Sequence, residues 1–535
     1  MPKLNRKQFL LGLSGCLVGV KALAARHQQK LYDLVIYGGS SAGVTAAVQA
    51  ARMGKTVVIV NPYGFLGGMT SSGLSAADVT NRASVSGLAR EFFVAIGKNY
   101  GADFSQTFEP HVAERIFNDF VSAANVPVFY RERLDLKRGV LLDGKHIASI
   151  RMESGRIFSG KMFIDATYEG DLMMKADVRY FVGRESNARY GETLNGFQRL
   201  NRAETERISD IGLSDHFIND VDPHLVPGNP DSGLLPWINR SSLDNGQGDR
   251  CVQAYNYRLI LSEDPINQIP FEQPVDYREL DHELLLRNFE AGDERLPGRL
   301  AKIPDRKIDW NTFGAVGTDM AGASYGYAEA DHNTRVKLDR LHELYTRGHF
   351  WTLAHHPRVP ASVRNEMRRW GFAKDEFQRN AGFPYMIYVR EGRRMVSDLV
   401  MTEHYCRLQR NVSDSIALAS YPMDSHVTQY IVNERGLAER EGVFLKLCKT
   451  PYGISYRSIV PRRGECPNLF VPICMASSHA AYGSIRMEPV FMSLGQASAT
   501  AASMAIDAAV SVQDVPYVRL RERLLQDRVM VEWIS

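Results

Sequence analysis

Tyr32-Asp33-Leu34-Val35-Ile36-Tyr37-Gly38-Gly39-Ser40-Ser41-Ala42-Gly43-Val44-Thr45-Ala46-Ala47, followed by Val48 to Arg52 and then Gly54-Lys55-Thr56-Val57-Val58-Ile59-Val60-Asn61, decides the fold. The run Tyr32 to Tyr37 is apolar and β-branched, as a buried strand is, and the small residues from Val44 to Arg52 predict a helix. Gly54-Lys55 stops that helix, and Thr56 to Val60 predicts a second buried strand. Strand, glycine turn, helix and strand close a βαβ unit of about 30 residues. Gly38 permits the tight turn, Gly39, Ser40 and Ala42 keep the loop small, and Gly43 lets helix and strand approach. The N–H groups at the helix N-terminus then attract a pyrophosphate. Ser40 stands where GxGxxG has its second glycine, and a serine there still admits a close backbone approach. Asn61, in place of the usual Glu or Asp, accepts from a ribose hydroxyl and carries no charge to repel a 2′-phosphate. The expected ligand is an adenine dinucleotide, with NAD and FAD both open at this point.

A second glycine-rich loop follows, Gly64-Phe65-Leu66-Gly67-Gly68-Met69-Thr70-Ser71-Ser72-Gly73-Leu74. It is long enough to lie along a flavin, which places Gly67, Gly68 and Met69 beside the cofactor. Further on, residues 139–160 alternate as a β-meander does, and Met162-Phe163-Ile164 reads as a short apolar strand. Asn468 to Pro472 predicts another short strand. Pro489 opens a small-residue helix, Val490 to Ala505, in which Gly495, Ala499 and Ala502 suit close backbone packing.

The chain has 535 residues, 44% hydrophobic and 23% charged, with 43 Gly and 23 Pro, a composition that excludes disorder and collagen-like repeats. Its formal charge of +3 includes Lys3, Arg6, Lys7 and Lys21. Those four lie in an expected leader, and without them about −1 remains, which gives no support to nucleic-acid binding. The six Cys form no CxxC and no close-spaced quartet, so neither a zinc ribbon nor a cysteine-ligated cluster is expected. His355-His356 lacks a carboxylate at metal spacing and reads as a loop, and no metal is expected.

The chain resembles the FAD-dependent oxidoreductases of the glutathione-reductase-like superfamily, in the exported bacterial branch often labelled xanthan lyase. The resemblance runs over nearly the whole chain beyond the leader. It rests on YGGSSAGVTAA and FLGGMTSSG, on Ile164-Asp165-Ala166-Thr167-Tyr168-Glu169-Gly170-Asp171-Leu172, and on VQAYNYR (252–258) and YVREGRRMVSDLVMTEH (388–404). YPMDSH (421–426), PYGISYRSIVP (451–461) and SSHAAYGSIRMEPVFMSLGQASATAA (477–502) extend it. The resemblance implies FAD as the cofactor, read as non-covalent because no His, Cys or Tyr pattern gives reason for a flavin bond, with covalent attachment left open by the sequence. It also implies an α/β fold, a Rossmann-like FAD-binding domain with parallel sheet, helices and a β-meander, carrying an inserted mixed α+β substrate or cap domain. Asp165, Ala166 and Thr167 are carried over as cofactor neighbours, Asp171 as structural. The N-terminus of the Gly495 helix is expected at the flavin pyrimidine, where its dipole favours negative charge. One departure stands out: Ile473-Cys474-Met475 occupy the place where many relatives carry an Asp after the strand. The lyase label supplies no reason for lyase chemistry.

Flavin chemistry on an organic substrate needs a proton donor or acceptor beside the ring and a group that holds the substrate. His479, in a loop of small residues before the flavin-facing helix, is the first candidate, as a base or as a structurally bonded histidine. His426 as base and Arg457 as anion clamp come second, and each reads equally as a salt-bridged surface residue. Tyr255, Asn256 and Arg258 alternate toward a substrate cavity. Arg390, Arg393 and Arg394 with Glu391 predict the solvated face of a helix. The reading is an exported enzyme moving a hydride between FAD and a small polar, sugar-like molecule, with an unidentified electron acceptor. The alternative is a non-catalytic flavin-fold protein that binds a glycan or a protein partner.

Residues 1–25 have the order of a secretory leader, Lys3-Arg6-Lys7, an apolar run, then Ala22 to Ala25. Asn5-Arg6-Lys7-Gln8-Phe9-Leu10 resembles the twin-arginine pattern, and Leu13-Ser14-Gly15-Cys16 a lipobox, so membrane attachment is expected only through a lipid on Cys16. A periplasmic or extracytoplasmic location follows. The expected division is FAD-binding residues 31–185 and 395–520 around a cap at 186–394, with a tail at 521–535. Within the cap, 330–349 predicts a helix stopped at Gly348, and 361–370 a second one.

Overall fold

The computed structural model describes residues 30–199, 216–240 and 243–534; the leader and Cys16 lie outside them. Leu31–Tyr37 pairs in parallel with Val57–Asn61, Tyr37 opposite Val60, and on its other side with Ile157–Asp165, Tyr37 opposite Asp165. Val128–Tyr130 joins beyond Val57–Asn61, also parallel. Leu34 to Ile36 and Val58 to Val60 are fully buried, as central parallel strands covered on both faces require.

On its edge away from Leu31–Tyr37, Ile157–Asp165 serves two partners along its length. Its first residues pair antiparallel with His146–Arg151, which pairs with Val140–Asp143, so the predicted meander forms. Its last residues take Leu469–Phe470 in parallel, Leu469 opposite Phe163, so a segment some 300 residues downstream completes the sheet.

The Ser41–Arg52 helix packs along Glu488–Ala508, one turn longer than the predicted helix, with Pro489 in its first turn. Thr45 Oγ1 donates to the Met492 carbonyl at 2.7 Å. The small residues on both helices let the backbones approach this closely.

Within the middle segment, Leu259–Ser262, Gly298–Ile303, Lys307–Thr312 and Gly371–Ala373 build an antiparallel five-stranded sheet with Gln268–Ile269 at its edge. The helix predicted to stop at Gly348 instead runs His332–His355. Gly348 is there for space: a Cβ on it would stand 2.6 Å from His282 Nε2. Ala361–Met367 forms as expected. Residues after 395 also pair with the middle segment, Gln429–Val432 lying parallel to Ile238–Asn239.

The arginines at 390–394 overturn their reading as a solvated helical face. The chain is extended there, and Arg390, Arg393 and Arg394 are all buried. Each meets a carboxylate from a distant segment: Asp319 at 2.9 Å, Asp171 at 2.7 Å and Glu185 at 2.7 Å, respectively. A charge pattern read along one segment is blind to partners brought by the fold. Cys251, Cys406, Cys448, Cys466 and Cys474 are free thiols. Among the described residues no helix is long and apolar enough to cross a membrane.

Candidate functional site

Three loops meet at the C-terminal end of the parallel strands, where α/β folds bind nucleotides. Gly38 has φ +109°, and a Cβ on it would stand 2.5 Å from the Ala166 carbonyl oxygen; one on Gly43 would stand 2.1 Å from the Gly38 oxygen. Ser40 caps the helix by accepting from Gly43 N at 3.2 Å and donates to Ala166 O at 2.7 Å. The serine that departs from the glycine pattern therefore ties the turn to the returning strand. Gly67 N donates to Gly39 O at 2.7 Å, bringing the second glycine loop alongside the first. A Cβ on Gly68 would meet Tyr168 Oη at 2.4 Å, and that hydroxyl accepts from Met69 N at 3.0 Å. Thr167 donates from Oγ1 to Asp165 Oδ1 at 2.6 Å. Burial raises the Asp165 pKa, against these hydrogen bonds, to about 6.

Gly38, Gly39, Ser40, Ala42, Gly43, Gly67, Gly68, Met69, Ala166 and Thr167 are thus brought together. Two others are placed differently. Asn61 accepts from Gly39 N at 3.1 Å and donates to Phe65 O at 2.6 Å, so its amide locks the two glycine loops to each other. Gly495 lies in the helix–helix contact, with Ala42 O at 2.1 Å from any Cβ.

A dinucleotide fits this cradle. The Ser41 and Ala42 amides sit in the first helical turn, where they have no intrahelical acceptor, and the loops around them cannot hold a larger residue. Glu488, at the start of the long helix, accepts from Ser41 Oγ at 2.6 Å, Thr70 Oγ1 at 2.8 Å and Tyr168 Oη at 2.7 Å. It joins all the cradle's elements, and burial raises its pKa against those three donors.

A family model described as FAD dependent oxidoreductase matches residues 33–524. The chain belongs to the FAD-dependent oxidoreductases. FAD is the cofactor that the cradle serves, and Ser41, Ala42 and the glycine loops would hold it. Solved structures similar to this oxidoreductase include thioredoxin reductase from T. acidophilum, 19% identical over 26% of this chain and 35% of that one, TM-score 0.18. L-proline dehydrogenase from P. horikoshii is 13% identical over 30% and 59%, TM-score 0.24. A flavin-containing monooxygenase from Stenotrophomonas maltophilia is 16% identical over 30% and 43%, TM-score 0.21. The chain thus spans less than two thirds of each of these chains, and no curated protein matches it.

Beyond Glu488 the FAD-dependent oxidoreductase carries a closed ring of polar groups, buried except for the partly exposed Asp424 and His426. Arg390 Nη1 lies 2.9 Å from Asp319 Oδ1, and Asp319 Oδ2 lies 2.7 Å from His426 Nδ1. His426 Nε2 is 3.4 Å from Asp424 Oδ2, which is 3.0 Å from Arg486 Nη2. Arg486 Nη1 donates to Tyr388 Oη at 2.6 Å, and the Arg390 guanidinium returns over the Tyr388 ring at 5.0 Å. Burial would raise both aspartates. Arg390 and His426 outweigh it at Asp319, and His426 and Arg486 at Asp424, so both stay below the usual carboxylate range. One cavity beside the ring is lined by Thr70, Asp78, Tyr388, Arg486 and Glu488, and another by Tyr421, Asp424 and His426.

The candidate catalytic residues separate. His426 is in the ring with 16% of its side chain exposed. His479 is buried behind it: Nδ1 is 2.7 Å from Glu391 Oε2 and Nε2 is 3.4 Å from Ser425 Oγ. Its two ring nitrogens join neighbouring segments and its side chain is 1% exposed. Arg457 is on the surface, 49% exposed and paired with Asp414 at 3.0 Å. Arg258 donates to Asp309 at 2.8 Å, and Asp309 in turn accepts from Ser75 N and Ala76 N. Tyr255 donates to Glu391 O, and Asn256 to Thr318 Oγ1 at 3.3 Å. Asp171 pairs with Arg335 and Arg393, a structural role as expected. Carboxylates of Glu109, Asp375 and Glu376 converge on Lys307 Nζ, whose ammonium offsets part of their charge.

Reading the sequence assigned Arg390 to a solvated face and did not single out Asp319, Asp424, Arg486 or Tyr388 as site residues. The available signal was the position of Asp424 two residues before His426, and of Arg486 three before Pro489.

Proposed function

We propose that this FAD-dependent oxidoreductase moves a hydride between FAD and a small polar substrate bound at the Arg390–Asp319–His426–Asp424–Arg486–Tyr388 ring. FAD, when bound, supplies the hydride chemistry. The observation that carries the reading is His426, held between two aspartates and lining a cavity. Asp319 orients its ring through Nδ1, leaving Nε2 toward Asp424 and the cavity, where a proton can be taken from or returned to a substrate hydroxyl. The arginine–aspartate pairs fix the ring. The N-terminus of Glu488–Ala508 directs its dipole toward the cradle and favours negative charge there.

Anaerobic mixing of the FAD-loaded protein with sugars, polyols and their acids tests this. Bleaching of the flavin by one of them, slowed about 10²–10⁴-fold in His426→Asn, is the expected result. Saturable binding with no bleaching by any compound, and no reoxidation of chemically reduced flavin by a supplied carbonyl acceptor, would instead favour a binding protein. The reading includes export by the 1–25 leader, which fractionation of cells making the full chain tests.

A further inference from the structure

We propose that the Nε/Nη2 edge of Arg390 receives a carboxylate carried by the substrate, so that the substrate class is a hydroxylated carboxylic acid. This rests on the hydride-transfer reading above and specifies the ligand of the same site.

Arg390 has no exposed side-chain surface, and its Nη1 alone is engaged, with Ala254 O and Asp319. Among the described residues Nε and Nη2 have no hydrogen-bond partner. Those two nitrogens form the side of the guanidinium fork whose spacing matches the two oxygens of a carboxylate, and an unmade hydrogen bond on a buried charged donor is costly. The neighbouring Arg486 has an unpartnered Nε as well. Both guanidiniums lie over the Tyr388 ring, at 5.0 and 5.7 Å.

The surrounding acids do not fill this role. Asp319 and Asp424 are shared with His426, and Asp309 is taken by Arg258. Burial raises the pKa of Asp78, against the pull of Arg258. Burial also lowers the pKa of Arg390, and Asp319 opposes that shift while Arg486 adds to it, as expected where two cations share too few anions. Asp319 connects Arg390 to His426, so the proposed carboxylate site and the proton-transferring histidine belong to one chain of paired charges.

The test uses the FAD-loaded protein and follows the visible flavin spectrum on titration with glucuronate, its neutral methyl ester and glucose. Glucuronate is expected to perturb the spectrum saturably, with the ester and glucose at least tenfold weaker. Arg390→Gln is expected to weaken glucuronate about 10–100-fold while leaving the ester unchanged, and Arg390→Lys, which keeps charge without the fork, to fall between. Equal binding of glucuronate and ester by the unmodified protein overturns the proposal, whether or not the variants fold. Loss of FAD from a folded Arg390→Gln protein overturns it too, by assigning the fork to the cofactor. A neutral sugar that bleaches the flavin while no acid binds overturns this inference alone; acids that bind at Arg390 while nothing bleaches remove the hydride-transfer reading and leave the carboxylate site standing.

Discussion

Gly495 and Ala42 touch backbone to backbone: a Cβ placed on Gly495 would stand 2.1 Å from the Ala42 carbonyl oxygen and 2.7 Å from Thr45 Oγ1. This contact holds the Ser41–Arg52 helix against the helix that begins at Glu488. Gly495→Val is expected to push the two apart and destabilise the protein by about 1–3 kcal/mol, with weaker FAD retention. Urea unfolding and FAD content after gel filtration check it; a variant as stable and as yellow as the parent would show that the helices separate freely.

Glu192 accepts from Ser478 Oγ and Glu403 N, both at 2.7 Å, at the cap of the short His479–Ile485 helix. Burial, partly offset by these bonds, raises its pKa from 4.5 to about 7. Between these values the folded chain binds a proton that the unfolded chain has released, so stability is highest at low pH within this window and falls as pH rises through about 7. The contribution lost is on the order of 3 kcal/mol. Glu192→Gln is expected to flatten this slope. Urea midpoints measured on both sides of the window read it, and parallel curves for the two proteins would contradict the assignment.

His479 and His426 separate structure from chemistry. His479→Ala leaves Glu391 buried without its 2.7 Å partner, and the expected loss is about 3–5 kcal/mol of stability. His426→Asn keeps a polar side chain beside Asp319, which also retains Arg390, and is expected to cost less, about 1–2 kcal/mol. Unfolding curves and anaerobic reduction rates, run on both variants, should show opposite losses. A stable His479→Ala protein that has lost reduction would reverse the two roles.

Ion pairs at two depths give a further contrast. Asp171 is 4% exposed and binds Arg335 and Arg393, so Asp171→Asn strips two buried guanidiniums of their counter-charge and is expected to cost about 3–5 kcal/mol. Arg457→Ala breaks a half-exposed pair with Asp414 and should cost under about 1 kcal/mol, with no effect on flavin reduction. Thermal melts of the two variants against the parent decide the first point, and a reduction assay the second.

The parallel sheet, the glycine turn and the helix of small residues were legible because each depends on local pattern: burial on both faces demands continuous apolar runs, and close approach demands glycine. Even the C-terminal helix was visible this way. Gly348 shows the limit, since a glycine that looks like a helix stop along the chain is a contact with His282 in space. The arginines at 390–394 show it more strongly. Nothing local distinguishes a charged surface from a buried one when the matching Asp319, Asp171 and Glu185 lie tens to hundreds of residues away.

By itself, then, the sequence determined the nucleotide-binding architecture, the flavin family and the loops that form the cradle, because those follow from short-range sterics and helix polarity. Tertiary structure alone decided that His426 stands at a cavity while His479 is buried, that Arg457 is on the surface, and that six polar groups from four separate segments close into one ring. Charge pairing in a low-dielectric interior depends on which segments meet, and that is settled only when the chain has folded.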